Sequence, residues 1–306
     1  MIVSELIDDA RRRLATAVDA QTDEARTESR WIVEEATGWT SSELIAHLAD
    51  PVTVSQVKRF DEMVARRVGG EPIQYVLGHW PFRGLDLMVD RRVLIPRPET
   101  EVLVDVALRE LDRGELDRGE LDRCELDLGA GVPNTPRRVV DLGTGSGAIA
   151  FSIAAERLAT EVWAVERSAG ALTVARANLA GLGRAATRVR LLAGSWFEPL
   201  PPELRGTVDL IVSNPPYIDP ADSPDASVVQ WEPSEALWGA GDGLGDVLAI
   251  LEGAPDWLVP GGSVVCEIDA GRADRCGELA RSLGYRDVGV EDDLAGLPRV
   301  LRCRVP

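Results

Sequence analysis

Apolar residues recur at intervals near four along the first part of the chain, where Leu6, Ala10, Leu14 and Val18 mark one helical face. The helical pattern continues to Val68. Thr40-x-x-Glu43 forms a capping box ahead of Leu44, Ile45 and Leu48, while Gly38 and Gly69-Gly70 stand where helices stop. Residues 1–72 therefore form a small helical domain. Two apolar runs, Tyr75-Val76-Leu77 and Leu85 to Val89, divided by Gly78 to Gly84, predict a hairpin within a linker over 73–98. It leads into Ile95-Pro96-Arg97-Pro98-Glu99-Thr100-Glu101, read as bridge and helix start.

Beyond residue 99 the pattern changes to alternation. Short apolar runs at Arg138–Leu142, Glu161–Val165, Val189–Leu192, Val208–Val212 and Ser263–Ile268 are separated by helical patterns at Ala148–Arg157, Ala169–Leu179, Val247–Leu258 and Ala273–Leu283. Two more strands, around Val288–Val290 and Arg299–Val305, close the chain. Such alternation predicts an α/β domain over 99–306, with a mostly parallel seven-stranded sheet covered by helices on both faces. Within it, Glu110 to Leu128 reads ELDRG-ELDRG-ELDRC-ELDLG. A period of five fits neither a helical stripe nor strand alternation, so residues 110–129 are expected to be a solvated insertion that extends a helix at most.

Length and charge narrow the function classes. The 306 residues suffice for a full core, and the net charge of −18 disfavours indiscriminate binding to phosphate backbones. No stable nucleic-acid partner is expected. Cys124, Cys266, Cys276 and Cys303 show no C-x-x-C spacing and the histidines are His47 and His79 alone, so no metal site is suggested. The residues from Met1 to Arg13 form an amphipathic pattern with early acids rather than a signal peptide, and no apolar run reaches membrane-spanning length. A cytoplasmic protein with free thiols and no membrane partner is expected.

The chemistry lies at strand ends. After the first strand of the α/β domain comes Asp141-Leu142-Gly143-Thr144-Gly145-Ser146-Gly147, a glycine-rich turn into a helix, where free N–H groups and a close backbone approach suit a ligand. The second strand ends at Glu166, about twenty residues on, where an acid can hold both ribose hydroxyls. After the fourth, Val208 to Ser213, stand Asn214-Pro215-Pro216-Tyr217. A carboxamide or adenine nitrogen is a poor nucleophile because its lone pair is delocalised. An Asn oxygen and a backbone carbonyl in a proline-fixed turn can accept its two N–H bonds, and Tyr217 can lie against the planar group. Asn214, Pro215 and Tyr217 are the catalytic candidates and, with Pro216, the substrate-binding ones. A nucleoside ligand beside an amine-holding loop points to S-adenosylmethionine.

The motifs together resemble the PrmC/HemK family of peptide chain release factor glutamine methyltransferases. The resemblance rests on the helical start, Glu71 to Gly78, Ile95 to Glu101, Asp141 to Gly147, Ser213 to Ile218, Glu232-Pro233, Ala236-Leu237 and Asp242 to Leu244. It implies a helical recognition domain joined to a class I methyltransferase domain with a Rossmann-like sheet. The implied reaction methylates the side-chain amide of the glutamine in a Gly-Gly-Gln loop, with the release factor as protein partner. Position by position, Gly143, Thr144, Gly145, Ser146 and Gly147 would line the methionine end of the cofactor, Glu166 its ribose, and Trp196 its adenine, with Asn214 beside the reacting groups. Arg97 to Thr100 would support the cofactor from the helix start. Two departures stand out: Ser195 where relatives often carry an acid, and no glutamine just after the Glu267 strand.

Other readings of the same residues stay open. The loop chemistry serves any planar exocyclic amine, so another protein glutamine or adenine in DNA is an alternative substrate, and a noncatalytic cofactor-binding adaptor is a further one. Trp196 reads equally as a core aromatic. Glu24 and Glu28 are read as a solvated helical face.

Overall fold

The computed structural model describes residues 1–17, 22–125 and 136–306. The chain divides into two compact units, one of Met1–Trp80 with Val89–Arg91 and Asp225–Trp231, the other of Pro81–Met88, Arg92–Pro224 and Glu232–Pro306. In the first, helices α1 (Val3–Ala17), α2 (Thr22–Thr37), α3 (Ser41–Ala46), α4 (Val54–Val68) and α5 (Ile73–Leu77) follow one another. The predicted stripe of Leu6, Ala10 and Leu14 packs with Ile32 and Val33 of α2 and Phe60, Met63 and Val64 of α4. Val18 lies outside the described residues. The capping box at Thr40 and Glu43 forms, and Thr53 and Gln56 make a second one ahead of α4.

Two expectations for this unit are corrected. Tyr75–Leu77 is not a strand but part of α5, entered at Pro72 and closed at Gly78, and the hairpin is β1 (His79–Phe82) with β2 (Leu85–Met88). Glu28 is not on a solvated face. It is buried, and accepts hydrogen bonds from Arg67 Nε at 2.7 Å and Nη2 at 2.9 Å. The helical period could not distinguish an acid facing water from one facing an arginine on another helix.

In the second unit, α6 (Pro98–Glu125) precedes the sheet formed by β3 (Arg137–Leu142), β4 (Thr160–Glu166), β5 (Val189–Ala193), β6 (Val208–Ser213), β7 (Leu258–Glu267), β8 (Arg286–Asp292) and β9 (Pro298–Arg304). Helices α7 (Ala148–Glu156), α8 (Ala169–Gly181), α10 (Gly245–Gly253) and α11 (Ala273–Ser282) connect it, while α9 (Ala226–Trp231) belongs to the first unit. The order is β5-β4-β3-β6-β7-β9-β8. The first five strands run parallel, and β9 pairs antiparallel with both β7 and β8. Successive residues of a strand face opposite sides: Val140 and Ile211 enter one core layer, Val139, Leu210 and Val212 the other.

The repeat segment also differs from expectation at its start. Glu110 and Leu111 are buried, and the Glu110 carboxylate accepts from Ser263 Oγ and Arg304 Nε, each at 2.9 Å. Helix α6 continues through Glu125, and residues 126–129 of the expected insertion lie outside the described residues. Nothing in a five-residue period marks one glutamate as a strand partner; only β7 and β9 beside it do.

The buried Glu28–Arg67 pair yields a stability prediction, because removing one partner strands the other charge inside the protein. Glu28→Ala should lower the unfolding free energy by about 3–5 kcal/mol in urea titrations. A double replacement by apolar residues of similar volume should restore most of that loss.

Candidate active site

The sheet reverses its strand order at β3, which has β4 on one side and β6 on the other, and ligands of open α/β sheets bind at the carboxyl ends of strands at such a point. In register, Leu142 stands beside Val165 and Ser213. The glycine turn, Glu166 and Asn214 thus leave the sheet together. A cavity open to solvent lies in the space beyond.

Of the residues predicted for this site, Gly143, Thr144, Gly145, Ser146, Glu166, Trp196, Asn214 and Pro216 line the cavity. Gly147, Pro215 and Tyr217 do not; Gly147 caps α7, Pro215 is buried, and Tyr217 turns its hydroxyl inward. Trp196 lines the cavity and also packs against the core layer of Val140. Its φ of 46° lies in the left-handed region. For a bulky residue this conformation costs about 1–3 kcal/mol and recurs at ligand sites.

The carboxylates are held by neutral donors. Glu166 accepts from Gly145 N at 2.9 Å and Ser168 N at 2.8 Å, one bond on each oxygen, so each oxygen has room for a second donor. Asp141 accepts through Oδ2 from Thr144 Oγ1 at 2.6 Å and Ala150 N at 3.2 Å, while Oδ1 has no partner. Complete burial pushes its pKa up to about 7 from an ordinary 3.8, against those two hydrogen bonds and with the charge of Glu166 adding to the rise.

Behind Asn214 lies a group that the sequence reading missed. Asn214 Nδ2 donates to Thr100 Oγ1 at 3.2 Å, Thr100 Oγ1 donates to Glu267 Oε2 at 2.7 Å, and Tyr217 Oη donates to Glu267 Oε1 at 3.1 Å. Burial and the neighbouring carboxylate raise the Tyr217 pKa, which keeps its phenol protonated and donating. Burial likewise raises the pKa of Glu267, against the two hydroxyl donors and the charge of Arg299. The missed signal was a glutamate set inside the apolar run Ser263–Ile268. Arg97, which also lines the cavity, pairs with the buried Glu232, and Glu232 takes Ile95 N at 3.2 Å as well. Arg92, Val93 and Leu94 line the same space without any motif that would have placed them there.

Known proteins match along most of the chain. The PrmC N-terminal domain model matches residues 5–78, and the methyltransferase small domain model residues 118–230. A release factor glutamine methyltransferase of Bordetella pertussis is 41% identical over 276 residues, covering 90% of this chain and 93% of that protein. The chain belongs to the release factor glutamine methyltransferase family. A second member, from Burkholderia pseudomallei, is 38% identical over 283 residues, 91% of this chain and 92% of its own. Among solved structures, the hMettl16 catalytic domain in complex with MAT2A 3'UTR hairpin 6 superposes with a TM-score of 0.50 at 15% identity, over 82% of this chain and 81% of that one. That likeness concerns the class I methyltransferase fold alone.

Members of this methyltransferase family use S-adenosylmethionine, and the cavity fits it. At Gly143 and Gly145, with φ of 77° and 56°, a Cβ would meet nothing within 4 Å, so the backbone there faces open space that a ligand can approach closely. Glu166 retains acceptor capacity for a diol. Among the described residues, no helix is long and apolar enough to cross a membrane.

The raised pKa of Asp141 gives a pH-dependent prediction. The folded chain holds this proton more tightly than the unfolded chain, so the position favours folding below about pH 4 and loses that contribution as pH rises to 7. Asp141→Asn removes the titration. Between pH 5 and pH 8 its stability relative to the native chain should improve by about 2 kcal/mol in urea unfolding. A difference that stays constant with pH would contradict the assignment.

Proposed function

We propose that this protein methylates the side-chain amide nitrogen of the glutamine in the Gly-Gly-Gln loop of peptide chain release factors, and does so in the cytoplasm. The reading is carried by one cavity that joins the glycine turn and Glu166 at one side to Asn214 at the other. When bound, S-adenosylmethionine supplies an electrophilic methyl group on a sulfonium. The amide nitrogen would lose one proton, to water, in exchange for that methyl group.

The chain's own residues hold the amide. Asn214 Oδ1 and the Pro215 carbonyl accept its two N–H bonds and stabilise positive charge as it develops on nitrogen, without a strong base. Pro215 and Pro216 fix the turn, and Tyr217, held through its hydroxyl, sets the plane of approach. Gly143 to Ser146 take the methionine end of the cofactor, Glu166 the ribose hydroxyls, and Trp196 the adenine. Membership of the family and the names of its relatives support the release factor as substrate. The loop's few groups cannot distinguish one exposed glutamine from another, so the helical domain, residues 1–72, supplies the second contact that selects the folded partner. The buried free thiols of Cys266, Cys276 and Cys303 support a reducing compartment.

The test is to offer labelled S-adenosylmethionine with intact release factor, with a short Gly-Gly-Gln peptide and with duplex DNA, and to map the label by mass spectrometry. Label is expected on the glutamine amide of the intact factor, with the peptide a poor substrate for want of remote binding energy. Label on adenine would overturn the reading. In the same assay Asn214→Ala should reduce turnover on the order of 100- to 1,000-fold while cofactor affinity changes little. Near-normal turnover would remove Asn214 from its role.

A further inference from the structure

Glu267 ends β7 with 1% of its surface exposed. Among the described residues it makes no ion pair within 4 Å, and its side chain takes two hydrogen bonds, both from hydroxyls. Both of its carboxyl oxygens accept, Oε1 from Tyr217 and Oε2 from Thr100. The single proton of Thr100 is therefore committed to Glu267 Oε2, and toward Asn214 the same hydroxyl oxygen can only accept. Asn214 must answer with its NH2 group. Its carbonyl oxygen Oδ1 is then left for a ligand in the cavity that Asn214 lines.

We propose that Thr100 and Glu267 are positioning residues that fix the polarity of the Asn214 carboxamide, and so make the site take a glutamine amide and reject the isosteric carboxylate of glutamate. The inference rests on the glutamine reading above. The two side chains differ at one terminal group: an amide brings N–H donors to Oδ1, whereas a carboxylate brings only acceptors and would face lone pairs. A carboxamide free to rotate by 180° has no such preference, because its NH2 end would meet the carboxylate well. Discrimination therefore depends on the donor direction, which runs from Asn214 through Thr100 to Glu267. The same carboxylate ties Tyr217, so one buried group holds both ends of the four-residue loop.

Thr100→Val keeps the shape and removes the relay. With intact release factor its kcat should fall about 10- to 100-fold, the cost of an unmatched polar group at the reacting amide. A release factor carrying Gly-Gly-Glu should inhibit the variant at least tenfold more strongly, relative to its Gly-Gly-Gln counterpart, than it inhibits the native enzyme. Thr100→Ser, which restores the hydroxyl, should recover most of both properties; a merely structural role for the Thr100 methyl group would not predict that rescue. Glu267→Leu removes the acceptor that commits the Thr100 proton and should shift the glutamine preference in the same direction as Thr100→Val. An unchanged preference in Thr100→Val would overturn the proposal. The side-chain amide protons of Asn214, followed by ¹⁵N–¹H NMR without substrate, should be protected from exchange in the native chain and lose that protection in Thr100→Val. A native chain that fails to methylate release factor therefore overturns the functional reading alone, while equal protection in both chains overturns the relay.

Discussion

The parallel pairing of β3 with β6 sets the site. It puts Leu142 beside Ser213, and the Ser213 hydroxyl donates to the Leu142 carbonyl at 2.7 Å just where the two strands end. The glycine turn and the Asn-Pro-Pro-Tyr loop emerge from these neighbouring ends. A shift of one residue would turn every side chain of β6 to the opposite face. Val212 would leave its core layer, and Asn214 would point away from the cavity. The apolar alternation of β6 thus fixes the placement of the polar residue that follows it.

A chain with a net charge of −18 must decide which carboxylates it buries and how. Glu28, Glu110 and Glu232 are buried against arginines, namely Arg67, Arg304 and Arg97. These pairs join distant segments, and breaking one leaves an uncompensated charge inside. Asp141, Glu166 and Glu267 are treated differently. Among the described residues their hydrogen-bond donors are backbone N–H groups and hydroxyls. A neutral donor fixes the carboxylate's direction without cancelling its charge, and here it leaves lone pairs available. The arginine-paired acids hold the fold together, whereas Glu166 lines the cavity and Asp141 and Glu267 hold residues that line it, Thr144 and Thr100.

Strain is placed in the same region. Trp196 keeps a left-handed backbone while one part of it packs on the core and another lines the cavity. Core packing over-determines the conformation, which is how such a residue persists. Arg97 is fixed in a comparable way, since its partner Glu232 is itself held by the backbone of Ile95. The cavity wall opposite the strand ends is therefore fastened by contacts reaching across more than a hundred residues of sequence.

The sequence by itself determined the alternation that makes the sheet, the helical start with its capping box, and the motifs Gly143 to Gly147, Glu166 and Asn214 to Tyr217. Each is a local signal: a period, a cap, or a turn whose residue types have few other uses. Only the tertiary structure decided which acids are buried. Glu28 and Glu110 read as solvated because a helical period does not say what a neighbouring element brings to meet a side chain. Tyr75–Leu77 read as a strand because three apolar residues fit either period, and the caps at Pro72 and Gly78 chose a helix. Thr100, Asn214 and Glu267 are separated by 114 and 53 residues, yet their side chains make one hydrogen-bonded chain. Donor direction is a property of that assembled chain. No residue type or spacing contains it, because it exists only once the strand ends and the start of α6 are brought within hydrogen-bonding distance.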